Sequence, residues 1–224
     1  MTTKILNLYA GIGGNRKLWK DVDVTAIEID TIIAEQYQRN YPGDKVIIGD
    51  AKEYLVKHFK EFDFIWASPP CPTHSKFRTL LKGEGKIGKK TFGSSFKLPD
   101  MDLYSIIIFL QHFYEGNWVV ENVISYYKPL IRPYMADNHY FWSNKPIPNF
   151  KKKSRNITNQ DLQSKAKERD MSIPDIKASM RFKRMMLNDC VFPEVGLKIF
   201  ELATHKPQTN LFALPKLNAT EGKL

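Results

Sequence analysis

Cys71 follows two prolines in Ser-Pro-Pro-Cys-Pro, residues 68–72, just after the apolar run Phe-Asp-Phe-Ile-Trp-Ala at 62–67. Pro69 and Pro70 fix φ and stiffen the turn, so the thiol is held in place. A thiol on a loop above a sheet edge can titrate low and act as a thiolate. The alternative is a small buried hydrophobe, the commonest fate of a free cysteine. A second apolar run, Val-Val-Glu-Asn-Val at 119–123, delivers Glu121 and Asn122. An acid that leaves an apolar strand into a cleft tends to keep its proton and so can donate it. A soft thiolate beside such an acid suits addition to C6 of a pyrimidine, with the acid bonding at N3. Addition makes C5 electron-rich, and C5 can then take a methyl group.

Three further groups fall at the ends of apolar runs. Tyr-Ala-Gly-Ile-Gly-Gly, residues 9–14, follows the first run. Its glycines let backbone approach a ligand at a helix N-terminus, or simply close a tight strand-to-helix turn. Glu28 ends the second run, where an acid accepts from ribose hydroxyls or stands as a surface carboxylate. Together the turn and the acid point to a nucleoside cofactor. Asp50, in Gly-Asp-Ala, is placed to meet an adenine amino group and to N-cap the next helix. The two cysteines, Cys71 and Cys190, show no metal-ligand spacing, so no metal site is expected.

The elements that must position these residues alternate. Strands are expected at Lys4–Tyr9, Val24–Ile29, Lys45–Ile48 and Phe62–Ala67, with a fifth beginning at Trp118–Val120. Helices are expected at Asn15–Lys20, Thr31–Asn40, Ala51–Lys60 and Met101–Tyr114. This alternation predicts an α/β fold with a doubly wound, mostly parallel sheet and ligands beyond the strands' carboxyl ends. Lys76–Asp100, long, basic and glycine-rich, reads as a loop. Lys151–Arg184 reads as a weakly helical insertion before a final helix at Glu194–Leu202. The tail from Lys206 reads as loosely held. The division is a core at 1–148, an insertion at 149–183, a returning element at 184–205 and a tail at 206–224.

The chain has 224 residues and a net charge of +10, enough for one sizeable core and suited to a polyanionic partner such as nucleic acid. Its longest apolar stretch, around Ile106–Leu110, is far too short to span a bilayer. A soluble protein of a reducing compartment is expected, with no membrane partner.

Leu-Asn-Leu-Tyr-Ala-Gly-Ile-Gly-Gly, Ile-Glu-Ile-Asp, Gly-Asp-Ala, Ser-Pro-Pro-Cys-Pro and Glu-Asn-Val, in this order and spacing, resemble the DNA cytosine-5 methyltransferases. His139–Pro148 resembles the family's strand after the catalytic glutamate, and Leu187–Glu201 its last motif. The likeness covers roughly Lys4–Pro148 and Arg184–Ala203. It implies a Rossmann-like, class I S-adenosylmethionine-dependent methyltransferase that methylates C5 of a flipped cytosine in double-stranded DNA. By the same resemblance, Tyr9, Ala10, Gly11, Gly13, Gly14, Glu28, Ile29, Asp50, Ala51, Pro70 and Asn188 bind S-adenosyl-L-methionine. Cys71 is the nucleophile, Glu121 the acid, and Asn122 fixes the loop. DNA contacts are expected from Ser75, Lys76, Arg78, Lys86, Lys89, Lys90, Lys151, Lys152, Arg181 and Lys183. The location that goes with it is the cytoplasm of a bacterial or phage-infected cell, or its nucleoid.

Two departures stand out. Pro72 follows the nucleophile where the family usually has Gln. No arginine lies between Pro133 and Trp142, where the family has one; Asn138 and His139 stand there. His139 is either a proton-dependent substitute or an exposed strand-end histidine. His74 either lowers the thiol pKa or faces solvent. The short insertion implies a short or relaxed target site, or a specificity partner protein. The alternatives are an RNA (tRNA) cytosine-5 methyltransferase, or an impaired relative that binds DNA or cofactor without turnover.

Overall fold

The computed structural model describes residues 2–75, 86–87, 90–91, 98–151, 161–172 and 176–204. Strands β1 (Thr3–Leu8), β2 (Val22–Glu28), β3 (Lys45–Ile48) and β4 (Phe64–Ala67) are joined in one sheet by β7 (Asn117–Val123), β8 (Tyr134–Ala136) and β9 (His139–Ser143). The order is β3-β2-β1-β4-β7-β9-β8. The first five run parallel; β9 and β8 pair antiparallel at the far edge. Two short strands, β5 (Lys86–Ile87) and β6 (Lys90–Thr91), pair separately. The helices are α1 (Thr31–Asn40), α2 (Ala51–His58), α3 (Asp102–Phe113), α4 (Leu162–Glu168), α5 (Met180–Asn188) and α6 (Pro193–Thr204).

The central strands are apolar on both faces because both faces are covered. Leu6, Leu8, Ile27, Ile65 and Ala67 face Leu55 of α2 and Leu103, Ile106, Ile107 and Leu110 of α3. On the other face Ile5, Phe64, Trp66 and Phe141 pack with Trp19 and with Val195, Ile199 and Ala203 of α6. A third cluster joins Ile12 of the glycine turn to Leu162, Ala166, Met186 and Leu187. The described part of the insertion therefore packs onto that turn through α4 and α5.

The helix expected at Asn15–Lys20 does not form. Arg16, Lys17 and Trp19 donate from backbone N–H to carbonyls three residues back, as successive turns. Six residues are too few to offset the cost of nucleating a helix, and their side chains are held elsewhere. Asn15 donates to buried Asn7, and Trp19 enters the core. Arg16 forks onto Asp44 at 2.8 and 2.9 Å and also donates to the Trp19 carbonyl.

The other elements hold with small shifts. Strand β4 starts at Phe64, not Phe62, and α2 ends at His58 in a 3₁₀ turn, Phe59–Glu61. The insertion and return contain α5, a helix not separately expected. The tail and most of 76–97 lie outside the described residues.

Candidate active site

Register decides which residues meet. Leu8 pairs with Ala67, and Ala67 with Val120. The next residues, Tyr9, Ser68 and Glu121, therefore stand together at one sheet edge. Leu8 also pairs with Ile27, so Glu28 ends β2 at the same level.

The glycine turn is built differently from the expectation. Tyr9, Gly11 and Gly13 have positive φ, at 54°, 56° and 81°. For Tyr9 that is a strained conformation. A Cβ on Gly13 would come within 2.2 Å of the Tyr41 ring, and one on Gly14 within 2.0 Å of the Cys190 sulfur. These two glycines admit neighbouring parts of the chain. Only Gly11 faces open space. The Glu28 carboxylate accepts from the backbone N–H of Gly11 at 3.0 Å, of Ile29 at 2.9 Å and of Asp30 at 3.1 Å. It braces the turn and keeps spare acceptor capacity.

Among the other expected cofactor residues, Asp50 caps α2 by accepting from Lys52 and Glu53 N–H through one oxygen. The second Asp50 oxygen is left over for a ligand. Ala51 packs in the core below this edge, so only its backbone is available there. Ala10 packs on Ala26 and Tyr37. Ile29 is 67% exposed and Ile48, at the end of β3, 56%. An apolar side chain offered to water on each of two adjacent strand ends suits a flat ring. Ile48 carried no distinguishing signal in the sequence. Pro70 is exposed at the same edge.

Asn188 points elsewhere: its amide oxygen accepts from Lys165 Nζ at 2.7 Å on an exposed surface. The next residue, Asp189, reaches the site instead. With Ser68, Gly11, Gly13, Gly14 and Cys190 it lines a cavity of about 60 Å³ between the turn and α5. Desolvation holds the Asp189 carboxyl above its ordinary pKa. A much larger cavity, about 780 Å³, opens beside α3, β8 and β9, and none of the site residues lines it.

Cys71, Glu121 and Asn122 come together from two neighbouring strands. Asn122 Nδ2 donates to the Pro69 carbonyl at 2.9 Å, buried, and fixes the proline turn. Glu121 is 7% exposed. Burial raises its pKa, while His139 and a hydrogen bond from Ser68 pull it back and Asp189 pushes it up. Burial pushes the Cys71 thiol up to about 11, with Asp189 and Glu121 adding to the effect. The low-pKa thiolate envisaged from the sequence is thus not favoured in this state, because burial first, and then the two acids, hold the proton on the sulfur.

His74 is neither solvent-facing nor an activator by charge. It is 1% exposed, burial lowers its pKa, and Nδ1 lies 2.6 Å from the Tyr127 hydroxyl. Its backbone N–H donates to the Cys71 carbonyl at 2.9 Å, and Ser75 bridges to Ser125, so the loop is stitched to the chain beyond Asn122. His139 is not a free strand-end residue either. Its Nε2 lies 3.8 Å from Glu121 Oε1.

Of the residues expected to touch nucleic acid, Ser75 is half-buried in that bridge, Lys151 and Arg181 are exposed, and Lys183 is half-buried. Arg181 lines a groove with Asn188 and Asp189. Lys86 and Lys90 lie on β5 and β6. Lys76, Arg78, Lys89 and Lys152 lie outside the described residues. Among the described residues no cluster of His, Cys, Asp and Glu could hold a metal, and no helix is long and apolar enough to cross a membrane.

Residues 3–92 match the C-5 cytosine-specific DNA methylase family. The methylase match covers the glycine turn, Glu28, Asp50 and Cys71. Glu121 and the last motif lie beyond it. A curated relative, the tRNA (cytosine(38)-C(5))-methyltransferase of Spodoptera frugiperda, is 33% identical over 78 residues, covering 32% of this chain and 24% of the relative. The chain thus matches about a quarter of that relative's length. Among solved structures, a mutant of Spodoptera frugiperda DNMT2 is 27% identical over 54% of this chain and 35% of its own, with a TM-score of 0.36. The Entamoeba histolytica methyltransferase EhMeth is 15% identical over 55% and 38%, with a TM-score of 0.35. The sheet described above is a doubly wound, mostly parallel, Rossmann-like sheet with an antiparallel edge.

Proposed function

We propose that this protein transfers a methyl group from S-adenosylmethionine to C5 of a cytosine held out of its stack. The observation that carries this reading is the meeting of Cys71 and Glu121 at the ends of adjacent strands, with the glycine turn and Asp189 beside them. S-adenosylmethionine supplies an electrophilic methyl on a positively charged sulfonium. The residues present fit such a group. Glu28 and Asp50 offer carboxylate oxygens, Ile29 and Ile48 offer apolar surface, and the Asp189 carboxylate favours a cation beside it.

Cys71 adds to C6 as its proton leaves, and Glu121, whose hold on its proton burial strengthens, donates at N3. Asn122 holds the proline turn so that the sulfur stays aligned. After transfer C5 loses its proton and the sulfur is expelled. A stacked base is out of reach, so the nucleotide is flipped at a cost of a few kcal/mol.

Double-stranded DNA is the leading substrate, supported by the family description and the basic balance of the chain. A tRNA cytosine is the second reading, favoured by the activity named for the curated relative. The short segment 149–183 sets target choice, alone or with a partner protein. The test is transfer of labelled methyl to unmethylated duplex DNA and to tRNA in competition, with Cys71→Ser alongside. Label in DNA as 5-methylcytosine, lost in the variant, supports the leading reading. Label in tRNA alone selects the second, and no label in either polymer overturns both.

A further inference from the structure

The hairpin between β8 and β9 aims a histidine at the buried acid. Asp137 and Asn138 turn the chain with positive φ, 43° and 62°. Such a pair suits the tight turns whose twist matches a hairpin. His139 follows as the first residue of β9, opposite Val123 of β7. Its Nδ1 lies 3.0 Å from the Asp137 carbonyl. A carbonyl only accepts, so Nδ1 carries a proton and donates it. The charge of the ring is then decided at Nε2, the nitrogen 3.8 Å from Glu121 Oε1. That separation is too long for a hydrogen bond and short enough for charge pairing.

The groups acting on Glu121 are His139 from β9, the Ser68 hydroxyl after β4 and Asp189 after α5. Cys71 is a fourth neighbour, since Glu121 acts on its thiol. On the imidazole itself, the Phe141 ring lies 6.4 Å away and Asp137 precedes it in the turn. Of all these, His139 alone can carry positive charge.

We propose that His139 is the positioning residue of Glu121, its imidazolium balancing the carboxylate left when Glu121 gives its proton to N3 of the base. This rests on the methyl-transfer reading above. In the addition step the S–C6 bond forms, the thiol proton leaves to solvent, the C5–C6 π pair moves into the ring, and N3 takes the Glu121 proton. After the methyl arrives, N3 returns that proton to Glu121, C5 loses its own to solvent, and the S–C6 bond breaks. His139 keeps both its protons throughout. Once it loses one, a new carboxylate would face Asp189 without compensation. Methyl transfer is then slower wherever the ring is neutral.

Three pH profiles of single-turnover methyl transfer test this, for the parent chain, His139→Gln and His139→Arg. His139→Gln is expected to slow transfer between roughly tenfold and a thousandfold, the range open to one charge at such a distance. His139→Arg, a permanent cation, is expected to recover most of the rate and to lose the alkaline fall. Identical profiles for all three would overturn the proposal. A second readout needs no turnover. Carboxyl carbon NMR of Glu121 should show its titration midpoint rise in His139→Gln and show no such rise in His139→Arg. An unchanged midpoint overturns the pairing whatever the chain methylates. A shifted midpoint with no methyl transfer to any polymer overturns the methyl-transfer reading instead. If His139→Gln fails to fold in thermal melts, the parent and His139→Arg carry both comparisons, and equal alkaline falls in those two overturn the proposal.

Discussion

The Asn122 amide donates to the carbonyl of Pro69 at 2.9 Å, out of reach of water. One side chain thereby ties the strand that ends in the acid to the turn that carries the thiol. Asn122→Ala leaves a buried carbonyl without its donor, which costs about 1–3 kcal/mol. Chemical denaturation should show that loss. Single-turnover methyl transfer should fall further than stability alone explains, because the sulfur is no longer aligned. A variant that loses stability yet transfers at the parent rate would remove Asn122 from the site.

The Cys71 thiol lies near 11 because burial and two acids, Asp189 and Glu121, oppose its ionisation. Alkylation at neutral pH should therefore be slow and should rise with pH toward that value. Removing one acid lowers the thiol pKa, so Asp189→Asn should speed alkylation of Cys71 at pH 8. Mass spectrometry separates this from Cys190, which burial pushes up to about 12. A neutral-pH rate matching free cysteine would contradict the acidic surroundings described here.

Glu121 is a buried acid whose folded pKa lies above its ordinary value. The native state then holds a proton that the unfolded state has released. Stability contributed by this group is present at low pH and declines as pH rises from the unfolded pKa upward through the folded one. Glu121→Gln removes the ionisation. Its melting temperature should exceed that of the parent at pH 8 by more than at pH 5, while methyl transfer is abolished. Equal differences at the two pH values would place Glu121 in contact with water.

Gly11 and Gly14 lie three residues apart and should respond differently to alanine. Gly14→Ala puts a methyl 2.0 Å from the Cys190 sulfur, an overpacking that typically costs about 1–3 kcal/mol. Gly11→Ala meets nothing, and its only cost is the positive φ of 56°, roughly 1–2 kcal/mol. Cys190→Ala should rescue Gly14→Ala only in part, because the Val191 carbonyl oxygen still lies 2.3 Å from the new methyl, and should leave Gly11→Ala unchanged. Equal rescue of both in denaturation curves would mean that the clash does not set the cost.

Parallel strands between helices leave near-continuous apolar runs, and those made β1 to β4 and the level of Glu28, Asp50, Cys71 and Glu121 readable from the chain alone. The segment after Gly14 was misread because a short polar stretch gives no sign that Arg16 will fork onto Asp44 or that Trp19 will enter the core. Both partnerships are tertiary. That Asp189 lines the small cavity by the glycine turn while Asn188 meets Lys165 is decided by contacts at the end of α5 that the sequence does not show. His74 and His139 could each be read two ways, and the outcome rested on Tyr127 and Glu121, contacts made far along the chain. The surroundings of Cys71 were likewise invisible: whether acids or bases face a sulfur is settled only by packing.

The contact between Gly14 and Cys190 also has a meaning for the order of folding. The first turn of the site is closed by one of the last described segments, so the sheet can form well before the turn has its wall. Closing so long a loop is slow, and a contact of this separation belongs late in folding. A growing chain would carry its nucleophile and acid through the synthesis of residues 122–190 before the turn beside them is complete. The arrival of Asp189 and Cys190 would then turn an ordered sheet into a closed site, an event that pulsed hydrogen exchange at Gly13, Gly14 and Asn15 can time.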